Sequence, residues 1–202
     1  MSCIKTVYNS ISNDFDKTRK SVWKGVKHFL NDISLDSLNV EIGCGNGKNL
    51  LYRKELNFAG FDICENFVSL CKTKNLNVEY GNILNLPILD NSFHNVLCIA
   101  VIHHLETKEE RIKAISELIR IAKSGGKILI YVWAFEQPND SKRQFVKGNN
   151  MVSFKTNNNT FNRFYYIYTK KDLEEEISVQ TYNFTFDIYY EEGNWCAIIN
   201  KN

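Results

Sequence analysis

The stretch Val40-Glu41-Ile42-Gly43-Cys44-Gly45-Asn46-Gly47-Lys48-Asn49-Leu50-Leu51 decides the fold. An apolar run from Leu38 to Ile42 enters a turn holding Gly43, Gly45 and Gly47, and apolar residues resume at Leu50 and Leu51. That is the pattern of a buried parallel strand, a tight turn and a helix start. Glycine in such a turn opens backbone conformations closed to other residues and lets a ligand approach the main chain. The free N–H groups of the helix start face the same place.

The ligand is not read as a dinucleotide. The fingerprint G-x-G-x-x-G needs a third glycine where Lys48 stands. Glu41 precedes Gly43 by two residues, and a carboxylate there suits a cationic ammonium such as the methionyl end of S-adenosylmethionine. Asp62 closes Ala59-Gly60-Phe61-Asp62, about 20 residues past the first glycine, where a carboxylate accepts ribose hydroxyls. Ile63 follows it. In the loop Asn82-Ile83-Leu84-Asn85-Leu86-Pro87, Asn82 offers an amide to an adenine edge and Ile83 an apolar face.

The chain has 202 residues, 44% hydrophobic and 24% charged, with a net charge of +2. This is ordinary globular composition for one α/β domain spanning residues 1–202. No apolar run suggests a membrane span and the N-terminus has no signal-peptide pattern, so the expected location is cytoplasmic, with the nucleus open. Six scattered cysteines without a C-x-x-C suggest reduced thiols rather than a zinc site.

Helical spacing of Val7, Tyr8 and Ile11, and again of Val22, Trp23, Val26, Phe29 and Leu30, predicts two helices in an extension over residues 1–37. Arg19 falls at their junction, where it is placed to act in a lid over the cofactor. The first helix after the glycine turn is expected to reach Leu56. Further strands are expected at 58–61, 76–80, 93–100 and 128–133. A helix is expected from a Thr107 cap to a stop at Ser124-Gly125-Gly126, and Ala100 ends its strand against the cofactor. Alternating strands and helices predict a doubly wound parallel sheet. Residues 137–160 are polar and Asn-rich and read as a flexible loop. A short helix at 171–177 and an antiparallel hairpin across Glu191-Glu192-Gly193-Asn194 close the chain.

Taken together, EIGCGNGKNL, the GFD strand end, NILNLP, IAVIHHL, AKSGGKILIYVWAFEQ, RFYYIY and EEGNW resemble the eukaryotic tRNA wobble-uridine carboxymethyl methyltransferases. That family includes the methyltransferase domain of the related AlkB-homologue fusion protein. VYNSISNDFDKTRKSVW is similar to its opening, so the likeness covers nearly the whole chain. AVIHHL and YVWAFEQ are its most specific pieces.

The resemblance implies a Rossmann-like class I methyltransferase with a seven-stranded sheet whose last strand is antiparallel. It implies methyl transfer from S-adenosylmethionine to the carboxylate of 5-carboxymethyluridine in the tRNA anticodon. It also implies a heterodimer with a small zinc-binding activator subunit. Three positions depart from the family: Glu41 and Asn82 stand for aspartates, and Tyr166 for a frequent histidine.

A carboxylate nucleophile titrates near ~4 and needs no general base, so positioning groups are expected instead. The candidates are Arg19 and Arg163 as anion clamps, Trp133 as a plate for the uracil, and His104 and Tyr165 as hydrogen-bond donors. Lys17, Arg19, Lys20, Lys24 and the lysines and arginine of 142–155 suggest one phosphate-tracking surface. The activator is expected at an open sheet edge near Leu76–Tyr80. Two other readings stay open on the sequence: a methyltransferase of small molecules, and a non-catalytic cofactor- or RNA-binding scaffold.

Overall fold

The structure, a computed structural model, describes residues 2–156 and 159–202, with residues 2 and 3 described by backbone alone. In chain order the elements are α1 (Ser2–Thr18), α2 (Lys24–Asn31), β1 (Leu38–Ile42), α3 (Lys48–Tyr52), β2 (Asn57–Asp62), α4 (Glu65–Thr73), β3 (Val78–Tyr80) and β4 (Phe93–Ile99). After a 3-10 turn at Ile102–His104 come α5 (Lys108–Ile121), β5 (Ala122–Trp133), β6 (Gly148–Lys155), β7 (Thr160–Ile167), α6 (Lys170–Ser178), β8 (Phe184–Glu191) and β9 (Asn194–Lys201).

Seven strands form one sheet in the order β3-β2-β1-β4-β5-β9-β8. The first five pair in parallel, and β9 runs antiparallel between β5 and β8. β1 and β4 lie at the centre, and their near-continuous apolar residues are buried on both faces. On one face Val40, Val96 and Ile128 pack with Ile115 and Leu118 of α5 and Leu173 of α6. On the other, Phe58, Leu97 and Leu129 pack with Val26 and Leu30 of α2 and Val68 of α4. The carboxyl ends of β1, β2 and β4 therefore open together at one rim, where ligands of such sheets bind. No helix among the described residues is long and apolar enough to cross a membrane.

Three elements differ from the sequence expectation. α3 stops at Tyr52 rather than Leu56, because the Arg53 side chain turns to the carbonyls of Leu30 and Ile33 beyond α2. α5 has the expected Thr107–Glu110 capping box but ends at Ile121, before the glycine pair. There the Lys201 ammonium takes the carbonyls of Ile119 and Ala122, satisfying acceptors that a helix end leaves free. Residues 148–155 are not a loop but β6, paired antiparallel with β7 in a ribbon outside the main sheet. Asn150, Val152 and Phe154 face inward along it, an alternation that the asparagines conceal. Asn157 and Asn158 of the expected loop lie outside the described residues.

The ribbon is anchored through α5 and α6. Arg111 Nε donates to Glu176 Oε1 at 2.9 Å with both side chains almost fully buried, and Tyr168 donates its hydroxyl to Glu176 Oε2 at 2.7 Å. Removing one partner of such a pair strands a buried charge, whereas removing both does not. Arg111→Met should lower stability by about 3–5 kcal/mol. Arg111→Met with Glu176→Leu should recover most of that loss. Urea unfolding of the two variants checks it, and equal losses would show that the pair does not act as a unit.

Candidate active site

Two carboxylates stand at the carboxyl ends of β1 and β2. Glu41 is 2% exposed. Its Oε1 accepts from Asn49 Nδ2 of α3 at 2.6 Å, while Oε2 has no partner. Burial raises its pKa to about 8. Asp62 Oδ2 accepts the Gly45 N–H at 2.7 Å and Oδ1 the Cys64 N–H at 2.8 Å. Desolvation outweighs these bonds and raises its pKa to about 6. Each Asp62 oxygen keeps a lone pair for a further donor.

The turn glycines serve different ends. Gly45 has φ +54° and nothing within 4 Å of where a Cβ would sit, so its open side is space for a ligand. Gly47, at φ +74°, is closed in by packing: a Cβ there would meet Leu76 Cδ1 at 2.4 Å.

α1 crosses above this rim. Asp16 accepts from Lys74 Nζ at 2.7 Å and from Asn46 Nδ2 at 3.0 Å, and Asn46 also donates to the Arg19 carbonyl. Asn9 accepts the Asn66 N–H and the Cys64 thiol. The α1–α2 junction is thus fastened to the glycine turn and to α4, and Arg19 lines the cavity beneath.

The far wall is aromatic. Tyr165 stacks on Trp133 with centroids 4.2 Å apart and meets the His104 ring at 4.3 Å. Arg163 is 4% exposed and forms no ion pair among the described residues. Its guanidinium lies near the rings of Tyr8, Phe154 and Tyr165, Nε has no partner, and one terminal nitrogen donates to the Tyr8 hydroxyl at 3.3 Å. The tight turn at Ala100 (φ +61°) swings the chain out of β4 and brings His104 to this wall.

One cavity gathers Arg19, Glu41, Gly43, Gly45, Asp62, Ile63, Ile83, Ala100, His104, Trp133, Arg163 and Tyr165 along its lining. Four expectations are corrected by the geometry. Gly47 faces the packed side of the turn rather than a ligand. Asn82 lies outside the lining, and its side-chain oxygen accepts the Leu84 N–H at 2.9 Å in a local turn. Trp133 is no open plate, since Tyr165 stacks on it and the Arg143 guanidinium covers it at 4.3 Å. His104 is not a free donor. Its Nδ1 faces the Phe164 carbonyl at 2.8 Å, which fixes the proton there and leaves Nε2 to accept from the Tyr8 hydroxyl at 3.0 Å. Burial lowers its pKa to about 3, so it is neutral.

Tyr8 was not read from the sequence as a site residue. Its hydroxyl meets His104, Arg163 and, at 3.4 Å, Tyr165. Its only signal is a place in a helical apolar pattern, which does not distinguish a sheet cover from a cavity wall. Asn49, which holds Glu41, gives no sequence signal beyond its place at the helix start.

A family model described as "Methyltransferase domain" matches residues 40–130. The tRNA (carboxymethyluridine(34)-5-O)-methyltransferase of Schizosaccharomyces pombe is 30% identical, over 98% of this chain and 96% of its own length. The chain belongs to this family. The Macaca fascicularis tRNA (carboxymethyluridine(34)-5-O)-methyltransferase ALKBH8 is 39% identical over 72% of the chain, which there spans only 22% of the longer protein. Among solved structures, the CcbJ methyltransferase of Streptomyces caelestis superposes with a TM-score of 0.75 over 97% of this chain and 98% of its own, at 11% identity. The fold is the class I S-adenosylmethionine-dependent methyltransferase fold, with the antiparallel last strand that the resemblance implies. The residues present fit its cofactor: the unpartnered Glu41 oxygen, the open side of Gly45 and the free lone pairs of Asp62 match an ammonium, a close-lying chain and ribose hydroxyls.

Glu41 has its carboxyl pKa raised from an ordinary 4.5 to about 8. The native state therefore holds a proton that the unfolded state has released between those values, and stability falls as pH rises through that window. Relative to Glu41→Gln, the ligand-free wild type should lose stability from pH 5 to pH 8 and run parallel above it. Denaturant midpoints of the two proteins across pH measure this difference, in which the other titrating groups cancel. A flat difference would mean that Glu41 is ionised in the free protein.

Proposed function

We propose that the chain transfers a methyl group from S-adenosylmethionine to the carboxylate of 5-carboxymethyluridine at the wobble position of tRNA, forming the methyl ester. The supporting observation is the presence of two incompletely satisfied buried groups in one cavity, a carboxyl that ionises readily only beside a cation and a guanidinium with no anion. Glu41 Oε2 awaits a cation under the glycine turn, and Arg163 awaits an anion at the aromatic wall. A donor with an ammonium group and an acceptor with a carboxylate satisfy both.

When bound, the cofactor supplies an electrophilic methyl group on a sulfonium. The chain supplies no strong general base at the acceptor end, where burial lowers the pKa of His103 and His104 and leaves both rings weak bases. None is needed, because the acceptor carboxylate is ionised near pH 7. Arg163 binds that carboxylate. Its charge alone favours the ground state, since the negative charge disappears as the ester forms, so its value lies in aim rather than attraction. Tyr8 holds the guanidinium from α1, and Tyr165 backs it. The aromatic wall keeps water from the reacting oxygen and strengthens the pairing.

Arg163→Gln should bind S-adenosylmethionine with the affinity of the wild type yet lose about a hundredfold in methyl transfer to carboxymethylated tRNA, the worth of ~3 kcal/mol of charged hydrogen bonding. Calorimetry and transfer of labelled methyl are the two measurements. Full turnover would remove Arg163 from the acceptor site.

The same reading includes a small zinc-binding activator subunit at β3, the sheet edge. The Asn77 carbonyl and Gly81 N–H bond to β2, so by strand alternation the main-chain groups of Val78 and Tyr80 face away from it. Val78 itself is 2% exposed and packs in the core, while Tyr80 is 49% exposed. An edge of this kind takes a strand from another chain. Tyr80→Pro removes one outward N–H from an edge where proline is tolerated. It should abolish co-elution with the activator in gel filtration while leaving the melting temperature of the free chain unchanged. An intact complex would place the activator elsewhere.

A further inference from the structure

A second groove opens on the other side of the cavity wall. Trp133 lines both, and Arg143, Gln144, Phe145, Asn150 and Val152 complete the second. Phe145 stacks on Trp133 with centroids 5.6 Å apart, and Lys147 lies 5.2 Å from the neighbouring Phe135 ring. The Arg143 guanidinium and the Gln144 amide make no hydrogen bond or ion pair among the described residues, apart from the stacking of Arg143 on Trp133.

Charge identifies what this groove suits. From Ser141 to Lys171 the sequence holds seven lysines and arginines and no aspartate or glutamate. Of the seven, only Lys171 forms an ion pair among the described residues. Lys142, Arg143 and Lys147 in the segment before β6, with Lys155 of β6, therefore form a cationic strip beside aromatic rings, the composition that tracks a phosphate backbone while stacking bases. A base seated in the first cavity is attached to neighbours whose backbone must leave across the rim.

We propose that the groove formed by Arg143, Phe145 and Trp133 receives the base of a nucleotide directly adjacent to the acceptor nucleotide in the RNA strand. Phe145 offers the ring face or edge on which it packs, Arg143 the adjoining phosphate contact, and Gln144 an amide for the base edge. The inference rests on reading the first cavity as the acceptor site of an RNA. It adds a recognition element for the single-stranded substrate that is separate from both the cofactor and the methylated carboxylate. It also gives the ribbon a purpose that its position outside the main sheet leaves unexplained.

The test uses the full chain saturated with S-adenosylhomocysteine, and an anticodon stem-loop carrying 5-carboxymethyluridine. The nucleotide on the 5′ side, or the one on the 3′ side, is replaced by an abasic sugar, and fluorescence anisotropy gives the Kd. One of the two replacements should weaken binding to the wild type about tenfold, the order of one base stacked on an aromatic ring. Phe145→Ala should bind the intact RNA about as weakly and then be indifferent to that abasic site. Arg143→Gln, at an exposed side chain, gives the same comparison if Phe145→Ala does not fold. Indifference of the wild type to both abasic sites would overturn the proposal, as would losses that simply multiply. Failure of the wild type, supplied instead with S-adenosylmethionine and the activator subunit, to form methyl ester on the intact stem-loop would overturn the reading of the first cavity, which the binding comparison does not use.

Discussion

The carboxylate of Asp62 fixes the geometry on which the site depends. One oxygen takes the N–H of Gly45 from the turn after β1, and the other takes the N–H of Cys64 at the start of α4. Two consecutive strand ends are locked together through one side chain. A turn of alternating glycines has no stiffness of its own. Here it is held between Asp62 on one side and Leu76 and Cys71 on the other, where Gly47 leaves no room for a Cβ. The open face at Gly45 is what remains once those restraints are met. The cofactor surface is thus set by packing against β2, β3 and α4 before any ligand arrives.

The second feature is electrical. Buried ions are costly unless paired, and most proteins pair them. This chain does so away from the site, where buried Arg111 meets buried Glu176. Inside the cavity it does not. Glu41 is satisfied at one oxygen only, and Arg163 rests among rings with a hydroxyl for company. The surrounding sheet supplies the stability that makes this tolerable. The two groups are of opposite type, an acid and a base, and sit with different elements, Glu41 in β1 and Arg163 in β7. In the proposed function, these two groups sort a cationic donor and an anionic acceptor to different parts of one space.

Much of this was legible in the sequence, and the reasons for the remainder are physical. The glycine turn, Glu41 and Asp62 are local patterns with a fixed meaning, as is the Thr107 capping box. Elements whose form comes from distant partners were not legible. β6 exists because β7 pairs with it, and its asparagines disguise an alternation that has only Val152 and Phe154 as apolar members. The end of α5 is set by Lys201, some eighty residues further along the chain. Tyr8 lies far in sequence from the polar groups that its hydroxyl meets, His104, Arg163 and Tyr165. For His104 the residue was legible but the role was not, because the role follows from which ring nitrogen faces the Phe164 carbonyl. Trp133 differs for a like reason, since Tyr165 and Arg143 already cover its ring.

The resemblance marks Tyr166, where the family often has histidine, as a departure in the acceptor region. Strand alternation answers that concern. Along β7, Arg163 and Tyr165 face inward and line the cavity, while Tyr166 points to the opposite face. There it packs on the Arg111 guanidinium at 3.6 Å and against Tyr168 at 4.9 Å. A ring at this position touches the acceptor only through the stiffness it lends the strand. A planar side chain that stacks on Arg111 can lend that stiffness whether it is imidazole or phenol. Tyr166 thus belongs to the joint that carries Arg163, on the face of β7 away from the cavity.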